Sequence, residues 1–86
     1  MTDTILKQNA GRAGAVIVTA DTVPAGQYCA MQWVTSGTIT TALNAPLLSG
    51  TQTGITYPAN LEIRTPITGG TGVITGTAIF YKAVLS

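Results

Sequence analysis

Histidine is absent from this chain, cysteine occurs once, and only 8 % of its 86 residues are charged: four Lys or Arg against three Asp or Glu. Each shortage removes a class of chemistry. A formal net charge of +1 gives no electrostatic footprint for nucleic acid or an anionic membrane. No apolar run approaches the ~18 to 20 residues that a membrane-spanning helix needs. The lone Cys29 cannot form an intramolecular bridge. It lies in the apolar run Tyr28-Cys29-Ala30-Met31-Gln32-Trp33-Val34, with no basic neighbour in sequence to lower its pKa, so it reads as a buried, inert thiol. The start of the chain has no basic region followed by an apolar one, so it does not read as a secretory signal, and synthesis in the cytosol is expected.

Hydrolases and transferases need a positioned base together with a nucleophile or acid. The carboxylates here are Asp3, Asp21 and Glu62. Glu62 lies two residues from Arg64, a spacing that gives a surface ion pair of small energy on a strand. Metal sites need clustered His, Cys or carboxylate ligands, and no such spacing occurs. The glycine-rich stretch Gly69 to Gly76 lacks the spacing of a phosphate loop and its Gly-Lys-Ser/Thr ending. Five aromatic residues, Tyr28, Trp33, Tyr57, Phe80 and Tyr81, could stack bases, but the basic groove of a single-strand binder is missing. The inventory predicts a surface and not a catalyst, with no cofactor, metal, nucleic acid or membrane.

What is abundant is β-branched. Threonine, isoleucine and valine make up about a third of the chain, side chains stiff at χ1 that suit a pleated strand better than a helix. Ten glycines and four prolines punctuate this material into short strands. Residues 1–12 show neither helical nor alternating periodicity and read as an N-terminal arm, with Ile5, Leu6, Lys7 and Arg12 as its contact residues. Residues 13–86 read as one β domain. A chain of this length hides roughly 60 to 65 % of its unfolded surface, so subunit contacts are expected to help it.

Ala15 to Ala20 is the first expected strand, with Val16 and Val18 on one face and Ile17 and Thr19 on the other. Val23-Pro24-Ala25-Gly26 turns the chain. The strand Gln27 to Thr35 places Cys29, Met31 and Trp33 on the expected core face, opposite Tyr28, Ala30, Gln32 and Val34. Ser36-Gly37 breaks that run before Thr38 to Leu43, and Ser49 to Gly54 reads as an exposed polar connector. In Leu61-Glu62-Ile63-Arg64-Thr65 the apolar pair faces inward and the charged pair outward. Gly69-Gly70-Thr71-Gly72 is the strongest hairpin signal, and Val73 to Leu85 the longest β run, interrupted at Gly76. Both faces of that run carry large apolar groups, which a single-layer edge could not bury unaided. The turns Val23-Pro24-Ala25-Gly26 and Tyr57-Pro58-Ala59-Asn60 echo each other about 34 residues apart, as paired hairpins of a sandwich or barrel would. The expected fold is all-β, a small antiparallel β-sandwich or barrel, jelly-roll-like in one version, with an extended N-terminal arm.

Over about two-thirds of the chain, Pro24 to Lys82, the order of elements resembles that of small head-associated proteins of tailed bacteriophages. The resemblance is carried by Ala25-Gly26-Gln27-Tyr28-Cys29-Ala30-Met31 after a turn, by Tyr57-Pro58-Ala59-Asn60, by a strand with Ile63 and Ile67, and by Gly72-Val73-Ile74-Thr75-Gly76-Thr77-Ala78-Ile79-Phe80-Tyr81-Lys82. Asn60 stands where the pattern leads one to expect glycine, although asparagine also tolerates the left-handed region. The resemblance implies a decoration or cement protein on a capsid surface, commonly a homotrimer, whose partners are its own copies and the major capsid protein. Tyr28, Trp33, Phe80 and Tyr81 are then the candidates for core or inter-subunit packing. A receptor- or glycan-binding module of a tail fibre or spike is the alternative, and an exposed aromatic cluster at a loop tip would favour it.

Overall fold

A computed structural model describes residues 14–83; the arm, with Ile5, Leu6, Lys7 and Arg12, lies outside the described residues. The fold is all-β, without helix among the described residues. Its strands are β1 (Ala15–Thr19), β2 (Gln27–Trp33), β3 (Gly37–Thr41), β4 (Thr56–Tyr57), β5 (Glu62–Ile63), β6 (Ile67–Thr68), β7 (Val73–Ile74) and β8 (Thr77–Lys82). They form two sheets. One runs β1-β8-β2-β5, with β6 also on β2; the other runs β4-β3-β7. Every strand pairing is antiparallel.

One core lies between the sheets. Opposed residues of neighbouring strands share a face, so the register of the larger sheet lines up Val16, Phe80, Met31 and Ile63 in one inner row and Val18, Ala78 and Trp33 in the next. The smaller sheet contributes Ile39 and Ile74, and connecting segments add Val23, Leu43 and Ala45. Trp33, Tyr28, Phe80, Met31, Ile39, Ile67, Ile74 and Val23 are the largest fully buried side chains. Burying each aliphatic or phenylalanine side chain contributes about 1.5–3 kcal/mol.

The strand β2 departs from simple alternation. Tyr28 pairs with Lys82 while Ala30 pairs with Tyr81, so two steps along β2 oppose one along β8. The extra residue is Cys29. A bulge of this kind resets the inside–outside order: Tyr28 turns into the core together with Met31 and Trp33, whereas Cys29 leaves the core face and is half-buried. The alternation read from the sequence is thereby corrected at both positions. The Cys29 thiol lies 3.9 Å from the Lys82 carbonyl.

Two further expectations are corrected. The Gly69–Gly72 segment is not a hairpin, because β6 before it belongs to the larger sheet and β7 after it to the smaller. It is a crossing between sheets, held by Gly69 N–H to Gly26 carbonyl at 2.7 Å and Gly70 N–H to Val23 carbonyl at 2.9 Å. A Cβ on Gly69 would stand 1.8 Å from the Pro24 carbonyl oxygen, so only glycine lets the two backbones meet. Likewise, the run from Val73 is not one strand. At Gly76, φ +76°, the chain passes from β7 in one sheet to β8 in the other.

At the free margin of the large sheet, Leu61 is exposed rather than inward, since it lies before β5 with no facing strand outside it. Ile63 packs against the core as expected. The connector Ser49–Gly54 is only partly exposed: Gln52 bonds both backbone groups of Leu43, at 2.7 and 3.1 Å, and Thr53 bridges Ile39. Asn60 has φ 71°, the left-handed conformation for which glycine or asparagine is suited.

Candidate interaction surface

The large sheet has a second face, opposite the core, against which no second sheet packs among the described residues; it is open along β1 and closes toward β2, where Ala30 is buried. Its residues come from the alternate positions of the same strands. One row is Ile17, Ile79, Gln32 and Glu62; the next is Ala15, Tyr81 and Ala30; Thr19 and Thr77 form a third. Ile17 is 69 % exposed, and Ile79 and Tyr81 are half-buried. The Tyr81 hydroxyl donates to Gln32 Oε1 at 3.1 Å across β8 and β2, and the Thr19 and Thr77 hydroxyls meet at 3.0 Å. These bonds fix the polar groups of the face within the sheet and leave Ile17 and Ile79, side by side on β1 and β8, as its apolar part.

Among the described residues, charge is confined to the margins. Glu62 and Arg64 make an exposed ion pair at 3.4 Å beside β5, worth little in stability. Asp21 sits in the turn after β1 and accepts the Thr22 N–H at 2.7 Å. Lys82 is exposed at the far end of β8. Among the described residues, no charged residue stands on β1 or in the middle of the outer face.

The four aromatic candidates divide between the two faces. Tyr28, Trp33 and Phe80 are in the core, and Tyr81 is on the outer face. Tyr28 and Phe80 meet edge to face, ring centroids 5.7 Å apart. Trp33 stacks on Tyr57 at 5.1 Å with the planes 6° apart, which joins the two sheets. Tyr28 donates its hydroxyl to the Pro24 carbonyl at 2.8 Å and Tyr57 to the Gln52 carbonyl at 2.7 Å. Burial raises the pKa of both phenols above the ordinary tyrosine value, because the interior disfavours the phenolate.

Ile17 and Tyr57 stand outside the packing candidates that the sequence offered, Tyr28, Trp33, Phe80 and Tyr81. Ile17 was legible as facing away from Val16 and Val18, but its place beside Ile79 depends on a strand far along the chain. Tyr57 belongs to a two-residue strand too short for alternation to declare a face.

No group of three or more His, Cys, Asp or Glu side chains lies within metal-binding reach among the described residues. No helix among them is long and apolar enough to cross a membrane. Comparison with family models, with curated proteins and with solved structures finds no match to this chain.

Proposed function

We propose that this is a non-enzymatic structural protein of the virion, a decoration or cement protein that stabilises a tailed-phage head through oligomeric surface contacts. The observation that carries the reading is the outer face of the five-stranded sheet, with exposed Ile17 beside half-buried Ile79 and Tyr81 and, among the described residues, charge only at its margin. A neutral face of this kind suits contact with neighbouring subunits, where weak shape-matched interactions repeated by symmetry add up to firm attachment. The resemblance along Pro24 to Lys82 points the same way and implies its own copies, as a trimer, and the major capsid protein as partners. The place of action would be the capsid surface, after synthesis in the host cytoplasm.

The tail-fibre or spike alternative calls for aromatic side chains clustered at a loop tip. All five aromatic residues lie on strands and none is exposed, so no observation favours it. The two readings separate in one assay. Labelled protein is incubated with expanded phage heads assembled from a major capsid protein, and in parallel with host cells. Saturable binding to heads supports decoration; binding to cells with none to heads overturns it.

A further inference from the structure

Edge strands present unpaired backbone groups, and natural proteins guard them with charge, proline, bulges or shortness. Among the described residues, five strands have a side open or partly open: β1, β5 and β6 in the larger sheet, β4 and β7 in the smaller. Four of these are two residues long. Beyond that, β5 carries the Glu62–Arg64 pair, β4 runs into Pro58, β6 is bridged by Asn44, and β7 by Thr22. The remaining edge, β1, has five residues, Ala15-Val16-Ile17-Val18-Thr19, with no charge, proline or bulge.

The register says which of its groups are open. Lys82 N–H donates to the Gly14 carbonyl and Ala20 N–H to the Gly76 carbonyl, so Gly14, Val16, Val18 and Ala20 bond toward β8. In an antiparallel ladder the intervening residues then point their N–H and C=O away from it. These are Ala15, Ile17 and Thr19, and among the described residues no backbone partner meets them.

We propose that β1 is a self-association edge, at which a second copy of this chain adds its own β1 antiparallel about a two-fold axis through Ile17. The sequence is self-complementary in that register. Ile17 opposes Ile17, Val16 opposes Val18, and Ala15 opposes Thr19, so every residue keeps its face. Ala15, Ile17 and Thr19 become hydrogen-bonded pairs, about six bonds in all, and the two exposed isoleucines cover each other. The contact is isologous and closes as a dimer. A three-fold ring would need a different edge to receive β1, and none of the other four offers more than two residues. The inference stands apart from the capsid reading and differs from the trimer that the resemblance implies.

The test combines sedimentation equilibrium of the full chain with amide hydrogen exchange. Wild-type protein is expected to show a monomer–dimer equilibrium, with Ile17 and Thr19 amide protection that grows with concentration. Ile17→Lys places two like charges at the axis, and Ile17→Pro removes an outward N–H without touching the β8 ladder. Either should weaken dimerisation by about 100-fold or more, while Leu47→Lys, at another exposed apolar site, should leave it unchanged. The proposal is overturned by a monomer at every concentration, by a trimer, or by a dimer that Ile17→Lys and Ile17→Pro leave intact. Concentration-independent protection of Ile17 in a monomer also overturns it, since the chain itself would then occupy the edge.

Discussion

Trp33 on β2 and Tyr57 on β4 lie flat against each other, one from each sheet, 5.1 Å between ring centres and 6° between planes. The stack ties the two sheets together through the two-residue strand β4. Trp33 is fully buried, and its Nε1 has no hydrogen-bond partner among the described residues. Trp33→Ala is therefore expected to cost about 3–5 kcal/mol. Trp33→Phe loses area but no hydrogen bond, and should cost about 1–2 kcal/mol. A double-mutant cycle with Trp33→Leu and Tyr57→Leu, followed by urea unfolding, should give a coupling of about 0.5–1.5 kcal/mol.

The crossings between sheets depend on backbone contact. A Cβ on Gly37 would lie 2.2 Å from the Thr75 carbonyl oxygen, and one on Gly69 1.8 Å from that of Pro24. Both neighbours are backbone, so neither can swing aside. Gly37→Ala and Gly69→Ala should each cost about 3 kcal/mol or more. Gly50→Ala, at φ +92° with open space around it, should cost only the local strain of about 1–2 kcal/mol. Thermal unfolding of the three variants checks the ranking.

Alkaline pH should act through two phenols. The folded-state pKa of Tyr28 and of Tyr57 is raised above 10.0 by burial, while in the unfolded chain both ionise near that value. Above it the unfolded state loses protons that the folded state retains, so stability falls as pH rises. Below about pH 9 the two groups contribute no pH dependence. Urea midpoints between pH 8 and 11 should show this loss, and it should shrink in Tyr28→Phe and Tyr57→Phe.

Much of the fold was legible in the sequence, and its misreadings have physical causes. The strands β1, β2, β3 and β8 announce themselves through β-branched residues in alternation. Cys29 and Tyr28 exchange places because a bulge adds one residue to β2, and alternation cannot register an extra residue before the partner strand is known. Gly69–Gly72 reads as a hairpin because local turn chemistry is the same whether the following strand returns to its neighbour or crosses to another sheet. The outer face was half legible: both faces of β8 are visibly apolar, but its junction with Ile17 rests on a pairing between residues 15–19 and 77–81.

The bulge gives its own test. Cys29 is half-buried and lies off the core face, so Cys29→Ala should cost less than about 1 kcal/mol, whereas Met31→Ala, two residues on and fully buried, should cost about 2–5 kcal/mol. The reverse order would place Cys29 in the core and remove the bulge from the account.

The proposed role gives the neutral outer face the task of holding a capsid together. Its most direct measurement is the temperature at which expanded heads break, followed by light scattering with and without saturating protein. Wild-type protein is expected to raise that temperature, and Ile79→Glu, which charges the middle of the outer face, to abolish the increase while the variant still folds. Heads that break at the same temperature with and without the protein would contradict it.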